Sequence, residues 1–188
     1  MLNQLSIWFH KISKWWVMLL TLAVMVFFMI AVLPGQAESA SQNAGDSISP
    51  DTSFFYAPQE LLQAAEEYGE EGRQAYILAR WTFDLAFPLI YVSYLVAGIS
   101  WFYQKVKNPP RWISLTNLLP AGAGLFDYLE NTGASLVMGL YPGQVPGLAL
   151  ATAILSAIKW LLISGSFLAY FALAAAALFQ WTRSLLRK

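Results

Sequence analysis

The sequence predicts an all-α protein, a bundle of four transmembrane helices with both termini in the cytoplasm and a short helix at the outer surface. Two observations lead to this prediction. Of the 188 residues, 57% are hydrophobic and only 12% are charged, whereas soluble domains carry about 25% charged residues. Four long apolar stretches also follow one another, with an acidic segment between the first two and a basic segment between the second and third. Residues 1–188 are therefore expected to form a single membrane domain.

The first apolar stretch, residues 15–33, is long enough to cross a hydrocarbon core of about 30 Å as an α-helix. A second interpretation stays open, in which Met1–Ala37 is a cleaved signal peptide, because lysines precede the stretch and small residues follow it. We expect retention, since the stretch exceeds the usual apolar region of about 7–15 residues in a signal peptide. The other expected spans are residues 74–103, 113–141 and 148–181, with an outer connector at residues 34–73.

The charged residues predict the orientation of these spans. Basic residues cluster before the first span, between the second and third, and after the fourth: Lys11, Lys14, Lys105, Lys107, Arg111, Arg183, Arg187 and Lys188. Residues 34–72 contain acids but no base: Glu38, Asp46, Asp51, Glu60, Glu66, Glu67, Glu70 and Glu71. Because cytoplasmic loops are enriched in Lys and Arg, we expect a multi-pass protein of a bacterial inner membrane with both termini cytoplasmic.

The outer connector has three parts. Glu38–Ser53 is rich in Ser, Gln, Asn, Gly and Asp and is expected to be a flexible tether. The aromatic run Phe54–Tyr56 is expected to lie at the headgroup boundary. Pro58 then begins an expected short surface helix that extends to Tyr68. This helix is either a lid over an outward-facing cavity or a solvated connector to the second span.

Six polar residues fall within the expected spans and form the candidate buried polar site: Arg80, Asp84, Asp127, Glu130, Asn131 and Lys159. A charge at the bilayer centre costs about 2.5–3.5 kcal/mol on insertion scales, so these groups are expected to pair. Counting along each helix puts the three acids and Lys159 about 12–21 Å from the outer ends of their spans. They can meet in one layer in the outer half of the bilayer, while the shallower Arg80 can reach outward.

Three acids and two bases give this set a formal charge of −1. One carboxyl group must be protonated, or a proton or cation must be bound, to neutralise it. Three functions stay open. The site binds a lipid-like or amphipathic ligand, or uses Asp127 and Glu130 as acid and base on it; the charges only fix helix packing in a structural or assembly subunit; or an oligomer carries out proton- or cation-coupled translocation. Ligand binding is the preferred interpretation, and whether the protein is an enzyme stays open.

Composition restricts the remaining function classes. The chain has no cysteine and one histidine, His10, so it lacks the ligands of a histidine or thiolate metal site. No metal and no cofactor are expected. The zero net charge argues against a nucleic-acid partner. The expected partners are the lipid bilayer, a lipid-like ligand, and further copies of the chain or a larger membrane complex.

Two segments carry a resemblance to known proteins. The stretch from Glu67-Tyr68-Gly69 to Tyr91 and the run Asp127-Tyr128-Leu129-Glu130-Asn131 are similar to small bacterial four-span membrane proteins that have no assigned activity. The four spans with facing intramembrane acids also resemble the sterol-isomerase and sigma-2-receptor superfamily in topology and in the placement of the acids. Neither resemblance assigns a role to an individual residue.

Overall fold

The computed structural model describes residues 1–44 and 55–186, with the side chains of residues 40–44 excepted. These residues form helices and turns, with no β-strand among them. The α-helices are α1 (Leu2–Ile12), α2 (Trp15–Ala31), α3 (Leu33–Ala44), α4 (Pro58–Glu67), α5 (Gly69–Arg80), α6 (Phe83–Tyr103), α7 (Leu119–Gly139) and α8 (Pro146–Leu185), and a 3₁₀ helix spans Arg111–Leu118. The predictions for Asp46, Asp51, Phe54, Arg187 and Lys188 lie outside the described residues.

Three helical stretches are long and apolar enough to cross a membrane: Trp15–Ser39, Gly69–Tyr103 and Pro146–Leu185. They coincide with the first, second and fourth predicted spans, as expected of an integral membrane protein. Helix α7 covers the third predicted span but is not among them, because Asp127, Glu130 and Asn131 lower its mean hydropathy. The fourth crossing and the orientation stay predictions.

Two spans differ in detail from the prediction. The second is not one helix, because a turn at Trp81 and Thr82 separates α5 from α6. The third predicted span begins with the 3₁₀ helix Arg111–Leu118 and becomes α-helical only at Leu119. Pro120 then lies in the first turn of α7, where proline's missing N–H is tolerated because this turn has no intrahelical acceptor for it.

The expected flexible tether Glu38–Ser53 is only partly described. Its beginning belongs to α3, which extends to Ala44, so the expectation of a flexible chain was wrong for this part. Alanine and glutamine recur in α3, and both have high helix propensity. The helical stretch that begins at Trp15 therefore continues beyond the apolar residues, and the rest of the tether lies outside the described residues.

The chain divides into two compact units. The first contains Met1–Met25, Ile90–Ala123 and the chain from Leu161 onward; the second contains Val26–Leu89 and Gly124–Trp160. In the first unit, α6 and α8 approach closely where Gly98 faces the ring of Tyr170, and a Cβ atom at position 98 would overlap that ring. Glycine is therefore required at position 98 by the space that the ring occupies.

A buried polar network joins α1 to the rest of the first unit. The Asn117 side chain is fully buried, and its Nδ2 donates hydrogen bonds to the carbonyl of Ser6 at 3.1 Å and to Oγ of Ser100 at 3.0 Å. The Ser6 hydroxyl donates to the carbonyl of Ser114 at 2.8 Å. Because burial of unpaired polar groups is costly, these bonds hold α1 against the 3₁₀ helix and α6.

The core of the second unit contains the connector helix. Helix α4 confirms the helix predicted from Pro58, but its apolar face does not lie free on the outer surface. The cluster that buries it consists mainly of small and aliphatic side chains of α4, α7 and α8: Leu61, Ala64, Ala65, Ala134, Val137, Met138 and Ala149. Small residues on both sides permit a close approach of the helices, so α4 is an integral part of this unit.

Candidate functional site

The buried charges of the second unit centre on Lys159 of α8. Its Nζ lies 2.5 Å from Oε2 of Glu130 and 3.7 Å from Oδ1 of Asp127. Glu130 and Lys159 are only 1% and 6% exposed. Asp127 and Glu130 are three residues apart on α7, so they share the helix face that meets Lys159. The structure therefore brings together three of the six predicted site residues.

The close approach of α7 and α8 has a local cause in the sequence. Gly133 of α7 lies against the side chain of Thr152 of α8, and a Cβ atom at position 133 would overlap it. Ala134 and Ala149 are buried in the same region. Because small residues let helix backbones approach, the side chains of Glu130 and Lys159 can reach each other from adjacent helices.

A second ion pair joins Arg80 to Asp84. Arg80 ends α5 and Asp84 lies in the first turn of α6, and their side chains form a salt bridge while 10% and 15% exposed. A cation at a helix C-terminus and an anion at a helix N-terminus are both stabilised by the helix dipoles. The guanidinium also lies 4.4 Å from the ring centre of Tyr76. The pairing with Asp84 agrees with the spacing of four residues between them, and the expected reach of Arg80 toward the outer interface stays a prediction.

The two groups of ion-paired residues show where the formal charge of −1 on the predicted site lies. Arg80 and Asp84 balance each other formally, whereas Asp127 and Glu130 face the single positive charge of Lys159. The surplus of one negative charge therefore belongs to the lysine set. Because an uncompensated charge in a low-dielectric environment is costly, this set can accept a proton, or a positively charged group of a ligand.

Tyr56 contributes to the site, although the sequence did not predict this. It was expected at the headgroup boundary, but it is only 7% exposed, and its hydroxyl lies 3.4 Å from Oε1 of Glu130 and donates toward it. Its neighbour Phe55 is 60% exposed. The sequence shows only a run of aromatic residues at this point. No local pattern distinguishes the ring that becomes buried, Tyr56, from the exposed Phe55.

Ser156 of α8 is a further neighbour of Glu130. Its side chain is fully buried beside the carboxyl group, and its Oγ has no hydrogen-bond partner within the part of the chain that the structure describes. Ser156 lies three residues before Lys159, so both side chains project from one face of α8. Ser156 was not among the predicted site residues.

Two polar groups on α7 extend the site. Asn131, the sixth predicted residue, is 4% exposed, and Ser135, one turn later, is 8% exposed. Within the part of the chain that the structure describes, Nδ2 of Asn131 and Oγ of Ser135 have no hydrogen-bond partner. Buried polar groups are nearly always paired. These two atoms therefore offer hydrogen bonds that a bound molecule could take.

Metal binding finds no support in the described residues, which contain no group of three or more His, Asp or Glu side chains arranged to hold an ion. The lysine set instead combines a cation with two carboxyl groups, which suits proton exchange or recognition of a polar organic group. Comparison with protein-family models, with curated proteins and with solved structures finds no match to this chain.

Proposed function

We propose that α7 is a fourth crossing of the membrane, that both termini lie on the cytoplasmic side, and that the membrane is a bacterial inner membrane. The distribution of side chains on α7 supports the crossing. Its charged and amide residues Asp127, Glu130 and Asn131 are buried, whereas Leu125, Leu129 and Leu136 are 43–58% exposed. Polar residues inside and leucines outside suit a helix surrounded by lipid. The basic segments on one side and the acidic connector on the other support the orientation.

We further propose that the second unit binds an amphipathic, lipid-like ligand whose positively charged or protonatable head lies against Asp127 and Glu130. The single observation that carries this proposal is the surplus negative charge of the lysine set in a site nearly excluded from solvent. A cationic head would neutralise that charge. The free hydrogen-bonding atoms of Asn131 and Ser135 would orient the rest of the polar head.

Residues of the connector cover the site and, by moving, would let a ligand enter it. Tyr56 reaches Glu130 from the segment that precedes α4, and α4 is buried against α7 and α8. Movement of Tyr56 would expose the carboxyl group on the connector side, which is the outer side in the proposed orientation. The lid interpretation of the connector is therefore favoured over that of a solvated linker, as part of this proposal.

Native mass spectrometry of the purified protein tests the proposal. Asp127→Asn and Glu130→Gln remove the negative charges but keep the shapes of the side chains. Both variants should fold in normal yield, because the remaining carboxylate still balances Lys159, and should lose a co-purifying small molecule that the wild type retains. Glu66→Gln is the matched control, since Glu66 is an exposed acid of α4, and this variant should retain the molecule.

A structural role of the same charges predicts a different result. In that case Asp127→Asn and Glu130→Gln lower the folded yield, because Lys159 loses a partner in a buried pair, and the wild type carries no small molecule. Ligand binding would also be contradicted if both variants folded normally and the wild type showed only the mass of the protein chain, with no bound small molecule. The two measurements, yield and retained mass, therefore separate the two functions.

A further inference from the structure

The distribution of charge differs sharply between the two units. The residues of the first unit include eight of the eleven basic residues of the chain and none of the eleven acidic ones. The eight are Lys11, Lys14, Lys105, Lys107, Arg111, Arg183, Arg187 and Lys188. A membrane unit with this composition attracts anionic lipid, because basic residues near a membrane surface bind negatively charged headgroups.

Two cavities of the first unit lie beside this positive charge. One, of about 500 Å³, is lined by Trp101, Lys105 and Trp181 together with small residues of α8. The other, of about 680 Å³, is lined by Trp112 and Ala172 among other mainly apolar residues of α8 and of the segment that follows α6. Both volumes fall in the range of about 300–1,000 Å³ typical of small-molecule sites.

A polar ridge separates the two cavities. Lys107 and Gln180 line both of them, and the backbone N–H of Lys107 donates a hydrogen bond to Oε1 of Gln180 at 2.7 Å. The Lys107 side chain is exposed at this ridge. Lys105 is also exposed, and its Nζ lies 5.6 Å from the ring centre of Trp101 in the first cavity. Two exposed lysines thus line the two mainly apolar cavities.

We propose that this region binds one anionic diacyl phospholipid, with its phosphate at Lys105 and Lys107 and one acyl chain in each cavity. The lysines follow the end of α6 at Tyr103, which is the level at which headgroups meet a spanning helix. Trp101, Trp112 and Trp181 also suit the interface, since tryptophan is enriched there. Two cavities on either side of one polar ridge match the shape of a lipid that has one headgroup and two acyl chains.

Defined lipids test the proposal. The delipidated protein is titrated with phosphatidylglycerol or with phosphatidylcholine of the same acyl chains, and binding is measured by native mass spectrometry. We expect phosphatidylglycerol to bind at least about tenfold more tightly. Lys105→Gln/Lys107→Gln should weaken its binding roughly 30-fold. Lys11→Gln/Lys14→Gln removes the same charge from another basic segment and should change binding less than about threefold.

A cavity-filling variant tests the acyl-chain grooves separately from the charge. Ala172→Phe places a ring in the second cavity and should weaken phosphatidylglycerol binding while all lysines remain. Unchanged melting temperatures of the variants show that folding is intact. Equal affinity for the two lipids, equal losses in the two double-lysine variants, or a dimer that forms through these grooves in place of lipid would each overturn the proposal.

Discussion

Nζ of Lys159 lies 2.5 Å from Oε2 of Glu130, and both side chains are almost completely withdrawn from solvent. The attraction within such a pair roughly offsets the free-energy cost of removing both charges from water, so the pair adds little to stability. Loss of one partner is nevertheless costly, because the other charge stays buried without its counter-charge. The pair therefore makes α7 and α8 dependent on each other. Several measurements can detect that dependence and the contacts around it.

Removal of the lysine should destabilise the protein strongly. Lys159→Met leaves Asp127 and Glu130 without their cation, and we expect a loss of about 3–5 kcal/mol, measured by denaturant titration of the purified protein in detergent. Adding Glu130→Gln to this variant should recover part of the loss, because one orphaned carboxylate disappears. Lys14→Met is the control, since Lys14 is exposed. A Lys159→Met variant with the wild-type transition would contradict the buried pair.

Gly133 should tolerate no side chain. Gly133→Ala puts a methyl group into the side chain of Thr152, and we expect a loss of about 1–3 kcal/mol from overpacking. Gly139→Ala on the same helix is the matched control, because its Cβ would lie 3.8 Å from Ile77, an ordinary contact. Alanine has the higher helix propensity, so the control should be neutral or slightly stabilising. Equal melting temperatures for both variants would refute the close approach.

The packing of Tyr56 should matter more than its hydroxyl group. Tyr56→Phe loses one long hydrogen bond and should cost no more than about 1.5 kcal/mol. Tyr56→Ala opens a cavity at a buried position, and we expect about 3–5 kcal/mol, measured by thermal unfolding. Phe55→Ala removes a largely exposed neighbour and should change stability by less than about 0.5 kcal/mol. Equal effects at positions 55 and 56 would place Tyr56 outside the core.

The docking of α1 should weaken at acid pH. Nε2 of His10 lies 3.2 Å from the carbonyl of Ser114, which requires a proton on Nε2. Nδ1 is buried and finds no hydrogen-bond partner in the described residues, so a second proton on the ring would be poorly solvated. Burial accordingly lowers the pKa of His10, and hydrogen bonds of the ring to the backbone of Ser114 and Ser100 oppose this effect. Docking is therefore fully stable above about pH 6.5 and weakens as the pH falls below that value.

Hydrogen exchange of the α1 amides, corrected for intrinsic rates, measures this docking. Protection should fall between pH 7.5 and 5.5 in the wild type, whose only histidine is His10. His10→Gln keeps a polar side chain that cannot titrate, and its protection should be independent of pH over this range. A pH response that persists in His10→Gln would assign the effect to another group.

Much of the helical framework could be predicted because its signals are local. Uninterrupted apolar stretches predicted the helices around Trp15–Ala31 and Pro146–Leu185, and a proline followed by helix formers predicted α4. The buried polar residues were found because charges in apolar stretches must be paired. Spacings of three and four residues correctly placed Asp127 and Glu130 on a common face of α7 toward Lys159.

Other features depend on contacts that no local pattern encodes. Tyr56 and Glu130 are 74 positions apart, and their approach follows from the burial of α4 against α7 and α8. Arg80 and Asp84 are four residues apart, so their pairing could be predicted from spacing alone, but the turn at Trp81 and Thr82 between them is visible only in the structure. The polar contacts of His10 likewise arise only where α1 meets the 3₁₀ helix.

The sequence by itself determined that this chain is helical, that long apolar helices dominate it, and that a few charges lie within them, because hydropathy and helical period are properties of neighbouring residues. A spacing of four residues already allowed Arg80 to pair with Asp84, but only the tertiary structure decided that Asp127 and Glu130 face Lys159 on another helix. The physical reason is that ion pairing depends on distances of a few ångströms between helices. Those distances follow from packing at residues such as Gly133, whose role is visible only beside Thr152.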